Sequence, residues 1–506
     1  MSIINRRNFM KGCGAGLGLA MTSQYWSSQL FAQGVKTSQN GVNYFGLTKE
    51  EIEKLLLVAL SKGGDFSDLF FEYRILNSVS LSEDIIKSST QNITLGVGVR
   101  VMNGEQTGYA FTNVMTFDKI KETALVAASI AKGNSKITSV NLNQLMPPQN
   151  IYSLKNAVTD AKLNTKIDLI KSAYNAAMKF DSKIVKATAS LVDSIQNVTI
   201  ANSDGLIISD ARPDTRLTVS SVAERNGQHG SGSANDGGRF GIDFFNSVSA
   251  PEEIGKLASD EAIVLLDAEN APAGEFPVVL SKHKSGVMIH EACGHPLEGD
   301  ANWKGQSVMC GKYNTTIASP LVTIYDDPTI KQFRGSLAID DEGTEAKSVV
   351  LVDKGKFVAY MHDKLSAKML NLPMNGHGRR ENYQFMPIPR MTNTMLAKGE
   401  SDPEEIIKSV KHGFYAKTYQ GGMVENTGKF TFSVNLGYLI ENGKLTKPLR
   451  NATLIGSNIA ILKDVDMVAN DTGIFLGTCG KSGQSVPLTA GTPTLRIKKM
   501  TVGGKQ

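Results

Sequence analysis

Two histidines five residues apart, His290 and His295, fall in a segment that no single regular helix can turn towards one point. Residues 285 to 300 read Ser-Gly-Val-Met-Ile-His-Glu-Ala-Cys-Gly-His-Pro-Leu-Glu-Gly-Asp. Ser285 is a candidate helix cap, Val287 to Ile289 supply a buried turn, and Pro296 removes a backbone donor and halts smooth continuation. On an ideal helix, residues four apart lie about 40° apart around the axis and residues five apart about 140°. Both imidazoles reach one ion only if the helix absorbs an extra residue, by a bulge or by unwinding at Gly294. Such irregularities favour functional sites. The plainer alternative is a pair of core or helix-end histidines.

If the imidazoles share an ion, a tetrahedral catalytic zinc needs one more protein donor and keeps one position open. Cys479, in Gly477-Thr-Cys-Gly-Lys-Ser-Gly-Gln-Ser485, is the best candidate by type. Its glycine neighbours permit close backbone approach, and Lys481 would favour a thiolate. Cys293 is the local competitor, and a buried small hydrophobe is the plain reading of Cys479. Glu291, beside the first histidine, is the candidate base. Zinc lowers the pKa of water from about 15.7 to about 7, and Glu291 accepts the proton. The hydroxide then attacks a polarised scissile carbonyl, and Glu291 returns the proton to the leaving amine.

The rest of the chain predicts an α+β fold with largely antiparallel sheets, because strands do not alternate strictly with helices. Thr48-Lys-Glu-Glu51 forms a capping box ahead of a helix that stops at Lys62-Gly63-Gly64. Strands are expected at 69–79 and 93–102, a helix at 118–132, and a break near 145–163 that contains Pro147 and Pro148. A second set follows: a helix at 166–179, strands near 184–193, 198–200 and 217–222, and a helix at 251–268. Beyond Pro277 the pattern turns to strands. Asn442-Gly443 and Lys354-Gly355 mark hairpins, and Asp402-Pro403 starts a helix. The expected domains are a leader at 1–32, an N-terminal α+β region at 33–270, and a β-rich domain at 271–506.

The leader expectation rests on Asn5-Arg-Arg-Asn-Phe-Met-Lys11 ahead of a ten-residue mildly apolar stretch, with Ala32 as a cleavage point. This resembles a twin-arginine export signal and implies a periplasmic or otherwise exported protein. The stretch is too short to span a bilayer, and no later run reaches 18 apolar residues, so no stable membrane insertion is expected. With a net charge of +5, three units of which come from Arg6, Arg7 and Lys11, the body lacks a nucleic-acid footprint. With the leader and its Cys13 removed, the remaining three cysteines, Cys293, Cys310 and Cys479, are too few and too scattered for a disulfide framework.

At the metal segment the chain resembles the TldD/PmbA metallopeptidase family. The likeness runs through Ile289-His-Glu-Ala-Cys-Gly-His-Pro-Leu-Glu-Gly-Asp300, Arg334-Gly-Ser-Leu337, Asp340-Asp-Glu-Gly-Thr344, Gly378-Arg-Arg-Glu381, Pro389-Arg-Met-Thr-Asn393 and Gly477 to Pro487. Weaker likeness at Gly98 to Val101 and Asn202 to Gly205 extends it into the N-terminal half. The chain is similar to the motif-bearing, TldD type. The resemblance implies one zinc held by His290, His295 and Cys479, with Glu291 catalytic. It also implies a homodimer, or a heterodimer with a motif-lacking relative, enclosing a cavity where unfolded or flexible peptides are cut. Well-known members act in the cytoplasm, so an export signal is a departure. Cys293 reads as a small packed residue, with a disulfide to Cys479 as the alternative.

Other signals carry less. Gly480-Lys-Ser482 lacks the glycine of a phosphate loop, since Phe475 stands there. Gly96-Val-Gly98 and Gly230-Ser-Gly232 read as turns or strand glycines. Asp340, Asp341, Glu342 and Glu345 read as a solvated acidic turn, and Arg379 and Arg380 as structural ion-pair partners or a grip on substrate. Two further functions compete with the peptidase: a non-catalytic peptide-binding or assembly subunit with structural zinc, which an intact Glu291 argues against, and the family's older DNA-gyrase label, which near-neutral charge and export disfavour.

Overall fold

The structure, a computed structural model, describes residues 45–133, 135–147, 151–152, 161–282, 284–425 and 427–504. The expected leader, 1–32, lies outside them. The described chain forms two compact units. One comprises the described residues up to Phe71 with Gly96–Met146 and Val198–Ser209; the other comprises Glu72–Leu95, the described part of Pro147–Asn197, and the chain from Asp210 on. Four long strands contribute residues to both: β1 (Phe66–Ser82), β2 (Ile85–Asn103), β3 (Ile184–Asn202) and β4 (Leu206–Arg225).

In the first unit, helix α1 (Lys49–Ala59) starts at the expected capping box. Thr48 Oγ1 accepts the Glu51 N–H at 3.2 Å, and Glu51 Oε2 accepts the Thr48 N–H at 2.7 Å. Its apolar face buries Ile52, Leu55, Leu56 and Ala59. Helix α2 (Phe117–Ile130) lies on the strand Gln106–Thr112 so closely that a Cβ at Gly108 would stand 2.1 Å from the Ala127 carbonyl oxygen.

In the second unit, helices α3 (Leu163–Met178) and α4 (Pro251–Leu266) pack together at Gly255, where a Cβ would meet the Ala173 carbonyl oxygen at 2.2 Å. The strand Gln228–Gly238 runs beneath α4, and Gly230 and Gly232 are the strand glycines that let the helix approach. The expected strands at 184–193 and 198–200 are one continuous strand, β3.

The C-terminal part of this unit is β-rich and contains a barrel. Strand β5 (Gly274–Leu280) pairs in parallel with β7 (His412–Val424) and antiparallel with β12 (Leu495–Gly503); β12 pairs with β9 (Ala452–Ser457), β9 with β8 (Lys429–Glu441), and β8 back with β7. Five strands thus close a ring, leaving no free edge within it. Asn442 and Gly443 turn the expected hairpin with φ of 50° and 76°. Lys354-Gly355 also turns a hairpin, but its second strand is only Lys356–Phe357.

Beside the barrel, a six-stranded sheet ends in β6 (Asn393–Leu396), then β11 (Gln484–Thr492), then β10 (Gly473–Lys481) at the edge. The mixed α+β, sheet-rich architecture expected from sequence is the one observed. Among the described residues, no helix is long and apolar enough to cross a membrane.

Candidate metal centre

The helix carrying the motif changes its winding twice within twelve residues. An α-turn, α5 (Gly286–Ile289), passes into a π-turn at His290–Gly294 and then a 3₁₀ turn at His295–Leu297. In the π-turn the His295 N–H donates to the His290 carbonyl, five residues back. That is the extra residue that a five-residue spacing demands, and it stacks the two imidazoles on one side with ring centroids 4.9 Å apart. Gly294 keeps helical dihedrals (φ −59°), so it does not unwind the chain. It is needed because a Cβ there would stand 1.8 Å from Met391 Sδ. Nor does Ser285 cap the helix: its hydroxyl lies 3.0 Å from Tyr419 Oη.

The opposite face of this helix is core. Met288, Ile289, Ala292 and Cys293 are buried in one apolar cluster with Met391, and burial pushes the Cys293 thiol up to about 12. Cys293 is a packed residue. Cys479 belongs to a different cluster, with Val486, Leu488 and Ala490, and both thiols are free. Cys310 is also free, with Sγ 3.4 Å from the Asn302 carbonyl.

Edge strand β10 presents Cys479 to the histidines. Register with β11 places Cys479 opposite Val486, and α5 rests on β11 so tightly that a Cβ at Gly286 would meet the Ala490 carbonyl oxygen at 2.6 Å. Cys479 Sγ thereby comes 3.1 Å from His295 Nε2, and one donor atom from each of His290, His295 and Cys479 lies within 4.8 Å of the others. Donors around a tetrahedral zinc, at about 2.0 to 2.3 Å from it, stand roughly 3.3 to 3.8 Å from one another. The trio fits with small side-chain adjustments. His290 Nδ1 is buried without a hydrogen-bond partner, as a ring with unspent donor capacity would be. Two imidazoles and a thiolate are a zinc-type donor set.

The electrostatics set the charge states of the donors. Burial alone would raise the Cys479 pKa, but His290 and His295 outweigh it and bring the thiol down to about 4, so the sulfur is held as a thiolate, the form that ligates metals. Burial likewise disfavours charge on His295, yet Glu298 and Cys479 lift its pKa well above the ordinary value. Glu298 is buried; Lys481 and His295 overcome that burial and hold its carboxyl well below the usual range. His295 Nδ1 lies 2.9 Å from Glu298 Oε2, leaving Nε2 for the sulfur side. The Lys481 ammonium reaches Glu298 at 2.9 Å and Asp300 at 2.7 Å, and the groups that lower the Cys479 thiol are His290 and His295. Sequence pattern alone does not single out Glu298. Its signal was the three-residue step from His295, which matters only because the chain turns extended at Glu298 (ψ 131°).

Glu291 is partly exposed, with Oε2 3.9 Å from His295 Nε2. It lines a cavity of about 540 Å³ together with His290, His295, Cys479, Phe475 and Met423. The structure therefore brings all four sequence-predicted site residues to one wall. The acidic run is different from its expectation: Asp340, Asp341 and Glu342 are buried, and Asp340 accepts the N–H groups of Glu342, Thr344 and Gly378. Only Glu345 is exposed. Arg379 donates to the Met391 and Pro487 carbonyls, and the Arg380 N–H donates to Asp341.

Comparison with known proteins agrees with this reading at the level of family. The descriptions "PmbA/TldA metallopeptidase" domain 1, central domain and C-terminal domain match residues 67–131, 156–266 and 273–504. The chain is 41% identical over 450 residues to a metalloprotease TldD homolog of Haemophilus influenzae, covering 87% of this chain and 93% of that one. It is 28% identical over 453 residues to a zinc metalloprotease TldD homolog of Saccharolobus solfataricus, covering 89% and 99%. In fold it is similar to a Thermotoga maritima protein for which a role as modulator of a DNA gyrase has been suggested (TM-score 0.74, 23% identity, covering 90% of this chain and 100% of that one). With 93% of a 41%-identical metalloprotease matched and a His-His-Cys cluster in place, the chain belongs to the TldD/PmbA metallopeptidase family.

Proposed function

We propose that the protein is a zinc-dependent peptidase in which His290, His295 and Cys479 hold the metal and Glu291 is the general base. The observation that carries this is the placement of Glu291 on the cavity wall beside the three donors, where a purely structural ion would need no carboxylate. Zinc at that point would supply Lewis acidity, polarising a carbonyl oxygen and acidifying water. Glu291 takes the proton of the attacking water and hands it to the departing amine. Glu298 and Lys481 hold the His295 ring in position.

Support for an unfolded or flexible substrate comes from strand β10, which pairs only with β11 among the described residues. Its outer edge offers backbone groups that an extended peptide can satisfy regardless of sequence. Assembly as a homodimer, or with a motif-lacking relative, and export through Arg6-Arg7 belong to the same proposal. Light scattering on the purified chain tests the first, and fractionation of cells carrying Arg6→Lys and Arg7→Lys tests the second.

The central test pairs metal analysis with cleavage of a disordered protein. Wild type and Glu291→Ala should bind zinc alike, and the variant should be slower by roughly 10²- to 10⁴-fold. A zinc-loaded wild type no faster than the variant would instead mark a peptide-binding or assembly subunit.

A further inference from the structure

Thr478, one residue before Cys479 on β10, lines two cavities at once: that of the metal centre and a smaller one of about 210 Å³. Six arginines line the smaller cavity: Arg74, Arg212, Arg239, Arg334, Arg379 and Arg380. Only three carboxylates, Asp214, Asp341 and Glu381, line it with them. Two of these are committed to arginines: Asp341 to Arg212, and Asp214 to Arg334 at 3.2 Å.

Three of the remaining guanidiniums, those of Arg239, Arg379 and Arg74, are unusual. Arg239 and Arg379 are 4% and 2% exposed, and among the described residues neither forms an ion pair. Arg239 has one hydrogen-bond acceptor, the Pro213 carbonyl at 3.0 Å, and its Nε is buried without a partner. Arg379 has two carbonyls, of Met391 and Pro487. Half-buried Arg74 makes no hydrogen bond or ion pair among the described residues, and its Nε is also buried without a partner. Burying a guanidinium without an anion in direct contact is costly, and an added anion would offset that cost. Burial lowers the pKa of Arg239 and brings that of Arg379 down to about 9, the mark of cations short of counter-charge.

We infer that this arginine cavity is a carboxylate-binding subsite that takes the C-terminal carboxylate, or an acidic side chain, of a peptide lying in the metal centre. The inference rests on the peptidase reading for its occupant. Guanidinium forks match a carboxylate geometrically, and the small volume suits a chain end or one side chain. Arg334 ties the two cavities together, since it donates to the Gly477 carbonyl and to Thr478 Oγ1, and so fixes the strand that bears Cys479.

The test is calorimetric binding to zinc-loaded Glu291→Gln, which keeps peptides intact. Three probes are compared: pentaalanine with a free C-terminus, its C-terminal amide, and an amide with aspartate in the next-to-last place. The free acid, or the aspartyl amide, should bind roughly tenfold or more tighter than the plain amide. That ratio should collapse towards one on adding Arg239→Gln or Arg74→Gln, with zinc content unchanged. Tight binding of the aspartyl amide would identify the carboxylate as a side chain, and weak binding would identify it as the terminus. Equal affinity of all three probes, absence of binding included, overturns the inference, as does a preference that survives Arg74→Gln; that half-buried position decides if Arg239→Gln does not fold. Wild-type cleavage of the same peptides separates the two readings. Cleavage without acid preference in binding removes only this subsite, and acid preference without cleavage removes only the peptidase.

Discussion

His295 Nδ1 stands 2.9 Å from Glu298 Oε2, so the carboxylate fixes which ring nitrogen faces Cys479. The same oxygen is 2.9 Å from Lys481 Nζ, and Lys481 lies two residues beyond Cys479 on β10. One buried carboxylate therefore links the motif helix to the strand that supplies the sulfur. Partners of this kind orient a ligand and raise its basicity.

Replacing the carboxylate by an amide of the same shape isolates that role. Glu298→Gln should lower zinc affinity by roughly 10- to 100-fold, because the ring loses its anionic partner and Lys481 keeps only Asp300 and the Pro389 carbonyl. Competition with a chelator of known affinity reads this directly. Unchanged affinity would mean that packing alone sets the ring.

The glycines of the site separate into those that matter for contact and those that do not. At Gly286 an added methyl would press on the backbone of Ala490, which cannot swing aside as a side chain could. Gly286→Ala should therefore lift α5 from β11, cost about 1–3 kcal/mol of stability, and weaken zinc binding by moving His290 from Cys479. Nothing lies within 4 Å of a Cβ at Gly480, although it adjoins the sulfur, so Gly480→Ala should leave zinc affinity unchanged. Equal losses in both variants would break the link between helix docking and the donor geometry.

Much of this site was legible because one constraint was sharp. A five-residue spacing of His290 and His295 on a helix demands an extra residue, and the π-turn provides it. The reasons attached to neighbours were less reliable, since they depend on what lies across space. Gly294 answers to Met391 rather than to unwinding, and Lys481 answers to Glu298 rather than to the thiolate. Local signals with a mechanism, such as the Thr48 capping box and the Asn442-Gly443 turn, were accurate. The barrel was not visible, because its closure joins β5 to β7 and β12, far apart in sequence and without local marks. The arginine cavity was hidden for the same reason, its six residues being single positions spread from Arg74 to Arg380.

Away from the metal centre, His362 gives the fold a pH dependence of definite sign. It is buried and forms no ion pair among the described residues; Ser366 Oγ is 3.5 Å from its Nδ1. Burial, reinforced by the nearby His377, depresses its pKa from 6.5 to about 4. Folding therefore expels a proton that the unfolded chain would hold below pH 6.5. The contribution is fully present above about pH 6.5 and is lost progressively as pH falls towards 4, amounting to about 3 kcal/mol. Carboxylates titrate in the same range, so the readout is a difference between two proteins. Unfolding free energies of wild type and His362→Gln, measured from pH 7.5 down to pH 4, should diverge, with wild type losing about 3 kcal/mol more than the variant. Parallel curves would show that His362 takes up its proton within the fold and is not held as a buried neutral imidazole.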